Sequence, residues 1–394
     1  MKLKNAVQFR AGGTPDTGNE SFWANGDDGT PWVAIGDMSG GPIVSTTAKR
    51  LTPEGLAARG LAPGSSGTVL FAMYASVGAV ATLNIDAVWN QAILGMTPNH
   101  DTDGRFVAYW LRHYGPQAVA DARSATQANL NADQVANFPF PDWKIEEQRR
   151  IADFLDDRVA RIDQIISARR EQVDLVDRHS LESVRLGVAG ILDLDGQGIE
   201  SAIPWISRMS ADARVAQLAR VVTLQRGVDL TAEEQRPGDV PVVTTAGVVG
   251  THDVAIAKGP GVVIGRYGSV GSVHWIEHDY WPHNTTLYVR NAQGHNLRWI
   301  YYLLRSFPYG AMQARAAVPG VNRNDMATED VPVIPRILQN RVAAVLDERT
   351  AETATQVGYL SHSIDLFSQY KQSLITAAVT GELDVTTAGS GIPG

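Results

Sequence analysis

The chain has 394 residues, 44% hydrophobic and 19% charged, an ordinary globular balance with material for two or three domains. It holds no cysteine, which excludes a disulfide scaffold, a thiol nucleophile and any cysteine-ligated metal, and fits a reducing cytosol. Its net charge of −8 speaks against nucleic acid as a partner only weakly, because the local field at a contact face decides that, not the sum.

Met1 to Arg10 is too polar for a signal peptide and no apolar run reaches membrane-spanning length, so a cytoplasmic protein with no membrane partner is expected. Residues 1–143 are rich in Gly, Pro, Thr and Val. Runs such as Pro31-Trp32-Val33-Ala34-Ile35 and Thr68-Val69-Leu70-Phe71 predict strands between turns, followed by a helix from Arg105 to Tyr114 and a closing Phe138-Pro139-Phe140-Pro141. Residues 144–189 hold no Pro and, before Gly187, no Gly, which predicts one long helix. Residues 190–335 return to β-type runs, Val262-Val263-Ile264 and Thr286-Leu287-Tyr288-Val289, then a helix from Leu297 to Phe307 and Val331-Pro332-Val333-Ile334-Pro335. Residues 336–382 predict a second long helix, and 383–394 a tail.

The second half repeats the first. Tyr74-Ala75-Ser76-Val77-Gly78 returns 193 residues later as Tyr267-Gly268-Ser269-Val270-Gly271, and Asn129-Leu130-Asn131 as Asn322-Arg323-Asn324. Ile151 to Arg158 returns as Val342 to Arg349 at an offset of 191, as does Gly190-Ile191-Leu192-Asp193 as Gly381-Glu382-Leu383-Asp384. The two-residue slip is expected at Phe140 to Lys144 against Val333 to Pro335. A two-fold repeat of this length is a duplicated unit, not a solenoid.

Both long segments carry heptad spacing. In the first, Leu155, Ile162 and Val176 lie on one row and Ile166 and Val173 on its companion. In the second, Leu346, Leu360, Phe367 and Leu374 lie on one row and Val357 and Ile364 on the other. A narrow apolar seam is what a coiled-coil pair buries. Helices of about 60 Å, at about 1.5 Å per residue, are too long for one small domain to cover. Pairing them with each other fixes the distance between the globular parts.

Candidate active sites fail on their own chemistry. His274-Trp275-Ile276-Glu277-His278 has the spacing of an inverted zinc-protease motif, which needs a helix to put both histidines on one face; its surroundings read as a strand and a turn. The corresponding first-half residues, Ala81 to Ile85, hold no ligand. The glycines at 259–271 form neither a phosphate loop nor a dinucleotide fingerprint, and Asp101-Thr102-Asp103-Gly104 lacks the glutamate of a calcium loop. No amino-methyltransferase motif of the Asn-Pro-Pro-Tyr type and no nucleophile elbow is present.

What remains is duplicated and loop-borne: Tyr74 and Ser76 against Tyr267 and Ser269, and Asn90-Gln91 against His283-Asn284. Arg10, Lys49, Arg50, Arg59, Arg105 and Arg123 surround the first set, and Arg226, Lys258, Arg266, Arg290, Arg315 and Arg323 the second. Arg, Asn and Gln read base edges, while Ser, Tyr and Lys suit phosphates. The candidate DNA-binding set is Arg10, Thr14, Lys49, Arg50, Tyr74, Ser76, Asn90 and Gln91 in the first half and Arg226, Arg266, Tyr267, Ser269, His283, Asn284, Arg323 and Asn324 in the second. Turns are polar in any protein, so a two-headed coiled-coil scaffold for proteins or glycans stands as the alternative, and a hydrolase on His274, Glu277 and His278 as a third class.

The chain resembles the specificity (S) subunits of type I restriction–modification systems over nearly its whole length. The resemblance rests on Glu146-Glu147-Gln148-Arg149-Arg150-Ile151-Ala152-Asp153-Phe154-Leu155-Asp156, on Tyr370 to Leu383, on Arg10-Ala11-Gly12-Gly13-Thr14-Pro15 with Trp23 and Pro31-Trp32-Val33, and on Asn90-Gln91-Ala92-Ile93. The second half departs from it with Gln225-Arg226-Gly227-Val228-Asp229 in place of the Gly-Gly-Thr-Pro motif, and with Leu338-Gln339-Asn340 in place of Glu-Glu-Gln. The family implies an α+β fold: two mixed α/β target recognition domains, each followed by a long helix, the helices pairing as an antiparallel coiled coil. It implies that each domain reads half of a bipartite, asymmetric site in double-stranded DNA. It implies two modification (methyltransferase) subunits and restriction subunits as partners. S-adenosylmethionine, ATP and Mg would sit on those partners, and this chain would bear no catalytic residue, metal or cofactor.

Overall fold

Continuous apolar runs become central strands and the alternating ones become edges. The computed structural model describes residues 1–124, 129–192, 198–315 and 320–388; the side chains of 122–124 and 314–315 are also outside the description. The side chains of Arg123 and Arg315, and Asp193 with the end of the tail, therefore lie outside the description. The chain forms two compact units, Met1–Arg169 with His362–Gly394, and Arg170–Ser361.

The first unit contains β1 (Val7–Ala11), β2 (Trp23–Ala24), β3 (Thr30–Val33), β4 (Ile43–Val44), β5 (Lys49–Leu51), α1 (Pro53–Arg59), β6 (Val69–Ala72), β7 (Val80–Leu83), β8 (Val88–Trp89), β9 (Ile93–Pro98), α2 (Gly104–Ser124) and α3 (Ala132–Ala136). α4 (Ile145–Val188) begins here. One sheet runs β1-β9-β6-β7-β4, with the wholly buried Val69 to Ala72 at its centre; the other runs β2-β5-β3-β8, where β3 and β8 are parallel. The helix expected to end at Tyr114 continues to Ser124 through Pro116.

The second unit repeats the plan. It holds β10 (Ile199–Glu200), β11 (Arg208–Met209), β12 (Arg214–Gln217), β13 (Thr223–Arg226), β14 (Val240–Thr244), β15 (Gly247–His252), β16 (Gly261–Gly265), β17 (Val273–Ile276), β18 (Trp281–Pro282), β19 (Thr286–Asn291), α5 (Leu297–Arg305), α6 (Tyr309–Arg315), α7 (Arg323–Thr328) and β20 (Asp330–Val333), and α8 (Arg336–Thr380) begins in it. Its two larger sheets run β13-β19-β16-β17 and β15-β14-β18, again with a buried centre, β16, and a parallel pair, β14 and β18, and two small sheets, β10-β11 and β12-β20, are added. Pro308 follows Phe307 where the second helix was expected to end, and α6 starts as a separate helix.

The long helices pair within each unit, and in opposite directions. In the first, Lys371 donates to Asp163 at 2.6 Å, while a side chain on Gly381 would meet Trp143, so rising numbers on α4 meet falling numbers on α8. In the second, Arg349 donates to Ser183 at 3.2 Å and a side chain on Gly190 would meet Leu338. Gly190 and Gly381 both take positive φ, 90° and 81°, and end their helices as left-handed caps. The first unit's core buries Leu155, Ile162, Ile166 and Leu374, with Ile364 and Phe367 partly buried against it. The second buries Leu346. Val173, Val176, Val357 and Leu360 are half-buried.

The backbone also corrects the repeat. Leu130 N–H donates to Met73 O and Val321 N–H to Arg266 O, so Leu130 matches Val321 at an offset of 191. Asn131 caps α3 and Asn322 caps α7 at that same offset. The two-residue slip therefore falls before Leu130, not at Phe140 to Lys144, and Asn131 matches Asn322, not Asn324. The sequence match of Asn129-Leu130-Asn131 to Asn322-Arg323-Asn324 misled because asparagine recurs two residues apart in both segments.

Candidate nucleic-acid interface

In the first unit three loops meet at the sheet ends. Gly13 N–H donates to Trp89 O at 2.8 Å, and a Cβ on Gly12 would sit 2.1 Å from Asn90 O, so only glycine lets these chains approach. This seats Thr14 against Gln91, whose side chains share a hydrogen bond, and Arg59 donates to Thr14 O at 3.0 Å. Asn90 turns the loop by accepting Ala92 N–H on its side-chain oxygen. Met73 N–H donates to Ala92 O, which brings Tyr74 and Ser76 beside it. Lys49 lies 4.9 Å over the Trp23 ring; Trp23 meets Trp32 edge-on, and the Trp32 indole donates to Gly13 O. Arg50 and Lys49 line a recess with Thr17, Glu20, Trp23 and Asn25. Arg10 spends its guanidinium on the carbonyls of Ala62 and Pro63.

The second unit builds the same frame from different side chains. Val228 N–H donates to Pro282 O at 2.8 Å, and a Cβ on Gly227 would sit 2.1 Å from His283 O. Gly227 thus does what Gly12 does, and the apparent departure at Gln225 to Asp229 keeps the one residue the geometry requires. Arg226 reaches Asn284 O at 3.4 Å, and His283 lies 3.5 Å from Asp229. Arg266 N–H donates to Thr285 O, its guanidinium stacks 4.5 Å from the Tyr267 ring, and its NH1 is buried with no partner among the described residues. Ser269 is exposed in the following turn. Arg323 and Asn324 open α7 beside this loop, exposed, with Asn324 N–H held by Asn322. Each unit therefore brings part of its predicted set together in loops at one end of its sheets, Thr14, Tyr74, Ser76, Asn90 and Gln91 in the first and Arg226, Arg266, Tyr267, His283 and Asn284 in the second, while Arg323 and Asn324 line a recess with Leu218, Thr223 and Leu224. Lys258 is paired with Asp279 at 2.6 Å, which holds that carboxyl below its usual range.

Behind each set, the domain is fastened to a long helix by residues to which the sequence assigned no such role. Tyr109 donates to Asp156 at 2.8 Å and Arg105 to the same carboxylate at 2.8 Å. In the second unit Tyr302 donates to Asp347 at 2.5 Å and Arg298 at 2.6 Å. Gln148, buried, accepts Asp103 N–H and donates to Trp143 O; Gln339, buried, accepts Asn296 N–H and donates to Ile334 O. Asp103 and Asn296 cap α2 and α5. Gln339 thus stands in for Gln148, and the Glu-Glu-Gln motif is not lost from the second half but reduced to the glutamine its packing needs. The signal was available: Arg and Tyr recur at 193 residues, Gln and Asp at 191. Arg105, counted among the basic residues around the first set, is committed to this fastening.

His274 lies on β17, where its ring meets Thr245 O at 3.0 Å, and Glu277 accepts from the Trp275 indole. Among the described residues no group of three His, Cys, Asp or Glu is placed to hold a metal ion.

Residues 1–175 match the family model described as the type I restriction modification DNA specificity domain. The chain resembles a type I specificity subunit. It is 24% identical over 155 residues to the Escherichia coli type I restriction enzyme EcoR124I/EcoR124II specificity subunit, a match spanning 38% of each chain. Its fold matches a solved chain from work on complex assembly and conformational transition of the type I R-M system, with TM-score 0.69 and 14% identity over 97% of both chains. The HsdS subunit of Thermoanaerobacter tengcongensis aligns at TM-score 0.45 and 16% identity, over 97% of this chain and 96% of that one. The specificity-domain match ends within α4, while the shared hydrogen bonds carry the same plan through the second unit. Among the described residues no helix is long and apolar enough to cross a membrane.

Proposed function

We propose that this chain is the DNA-recognition subunit of a cytoplasmic type I restriction–modification complex. Each unit reads one half of a bipartite, asymmetric site, and the long helices set the unread spacer between the halves. One observation carries the reading: both units build the same glycine-seated loop frame and load it with different polar side chains, Thr14, Asn90 and Gln91 in one, Arg226, His283 and Asn284 in the other. That is what two half-sites of unlike sequence require. Two modification subunits dock on the helices and methylate adenine with S-adenosylmethionine; restriction subunits use ATP and Mg. The chain itself contributes recognition and no catalysis, and the target adenine leaves the duplex to reach the partner's pocket.

The test is to sequence methylated adenines in cells with and without this gene, and to measure duplex binding by the complex against salt. A two-part methylated motif that appears with the gene, and affinity that falls steeply as salt rises, are expected. No gene-dependent motif, or binding indifferent to salt, refutes it.

A further inference from the structure

The two units differ beyond β3 and β14, where the first enters a 3-10 helix, Ile35–Gly40, and the second turns back into β15. Besides the glycine-seated frame, they share the shape of an exposed loop. Ala75 and Gly268 both take left-handed φ, 59° and 73°, and so do Gly78 and Gly271, 90° and 81°. Gly78 N–H closes on Ala72 O at 2.9 Å and Gly271 N–H on Gly265 O at 3.0 Å. Alanine adopts that conformation only at a cost, so the first unit holds the loop's shape against its own residue's preference. The tip of each loop carries a tyrosine, Tyr74 at 39% and Tyr267 at 41% exposure. Tyr267 is set in place by the Arg266 guanidinium and by Gly320, whose Cβ would lie 2.7 Å from the ring.

A loop kept alike in two domains that read unlike sequences serves what both half-sites share. Base identity is not shared; the phosphate backbone is, and so is a π-face wherever a base leaves the stack, on which aromatic stacking tolerates any sequence. We propose that Tyr74 and Tyr267 are a matched pair of sequence-independent contacts, one per half-site, each stacking its ring on an unstacked base. This rests on the DNA-recognition reading above. It separates the jobs within each domain: the tyrosine grips, and the diverged loops beside it read.

The chain is purified with its partner subunits. The probes are a duplex carrying the motif mapped by adenine-methylation sequencing and a panel with single base pairs changed. Tyr74→Ala and Tyr267→Ala should each weaken binding to every duplex by one common factor, about five- to a hundredfold, with the ranking of duplexes unchanged. Tyr74→Phe and Tyr267→Phe should bind as the parent does, and Tyr74→Leu and Tyr267→Leu, which keep apolar bulk, as weakly as the alanine variants. Unchanged binding in the alanine variants overturns the proposal. So does a loss confined to one base pair, which makes the tyrosine a reader. Phenylalanine variants as weak as alanine overturn it too, by assigning the contact to the hydroxyl on a phosphate. A parent complex that prefers no duplex fails at the earlier step, the DNA-recognition reading, whatever the tyrosine variants do.

Discussion

The hydroxyl of Tyr109, on α2, donates to the carboxylate of Asp156, on α4, at 2.8 Å, and Tyr302 repeats the contact to Asp347. Tyr109 and Tyr302 are 4% and 1% exposed. Removing either carboxylate leaves a buried hydroxyl without its partner, which costs about 1–3 kcal/mol. The Arg105 pair adds little, because its side chain is 44% exposed. Asp156→Ala and Asp347→Ala should each lower stability by that amount in urea unfolding, with Asp156→Asn milder. Stability equal to the parent's would show the contact is incidental.

The same tyrosines govern the alkaline limit. Burial, then the hydrogen bond to Asp347, pushes Tyr302 up to about 12, and burial likewise raises Tyr109, Tyr280 and Tyr309. The folded state keeps protons that the unfolded chain gives up near its ordinary value of about 10. Their contribution is therefore intact below pH about 10 and is lost as pH rises through the folded values. Unfolding free energy measured from pH 9 to 12 should fall, and fall less steeply in Tyr302→Phe; parallel curves would contradict this.

Gly12 and Gly227 tolerate no side chain. Gly12→Ala and Gly227→Ala would each place Cβ 2.1 Å from a carbonyl oxygen, of Asn90 and His283 respectively. The loops must part, at about 1–3 kcal/mol of overpacking strain. Each variant should lose discrimination in its own half-site and keep it in the other, read by binding to duplexes altered in one half at a time.

Arg266 carries a buried N–H with no partner among the described residues, beside the second unit's loops. Arg266→Ala should weaken duplex binding. A loss of about 1–3 kcal/mol at one base pair assigns it to a guanine edge, and a uniform loss to a phosphate. Binding unaffected at every position would remove Arg266 from the interface.

Seven residues inserted after Arg169 and seven after Ser361, where the compact units divide, add one heptad to each helix. That is about 10 Å of helix, close to three base pairs. The unread spacer in the methylated motif should lengthen by about that number. An unchanged spacer with undiminished binding would show that the helices do not measure it.

Much of the fold was legible because it depends on local rules. The Pro-free segment after Lys144 read as a long helix, and Val262 to Ile264, apolar and bounded by glycines, as a buried strand. The Tyr74 and Tyr267 loops were found by simple recurrence. Gln148 and Gln339 recur as well, 191 residues apart, but their shared role was not legible, because what a glutamine bonds between a helix cap and a carbonyl is decided by packing. Gly227 was hidden for a related reason: its neighbours changed while the backbone approach that requires it stayed.

By itself the sequence determined that this protein is built twice and that each half ends in a heptad helix, since spacing and composition are properties of the chain. Only the tertiary structure decided which residues of the two halves correspond. Register is set by who bonds to whom, and the bonds from Leu130 to Met73 and from Val321 to Arg266 move the slip away from the proline-rich joints. It also decided that each compact unit takes part of both long helices, because an apolar seam says that a helix has a partner but not which stretch of which helix that partner is.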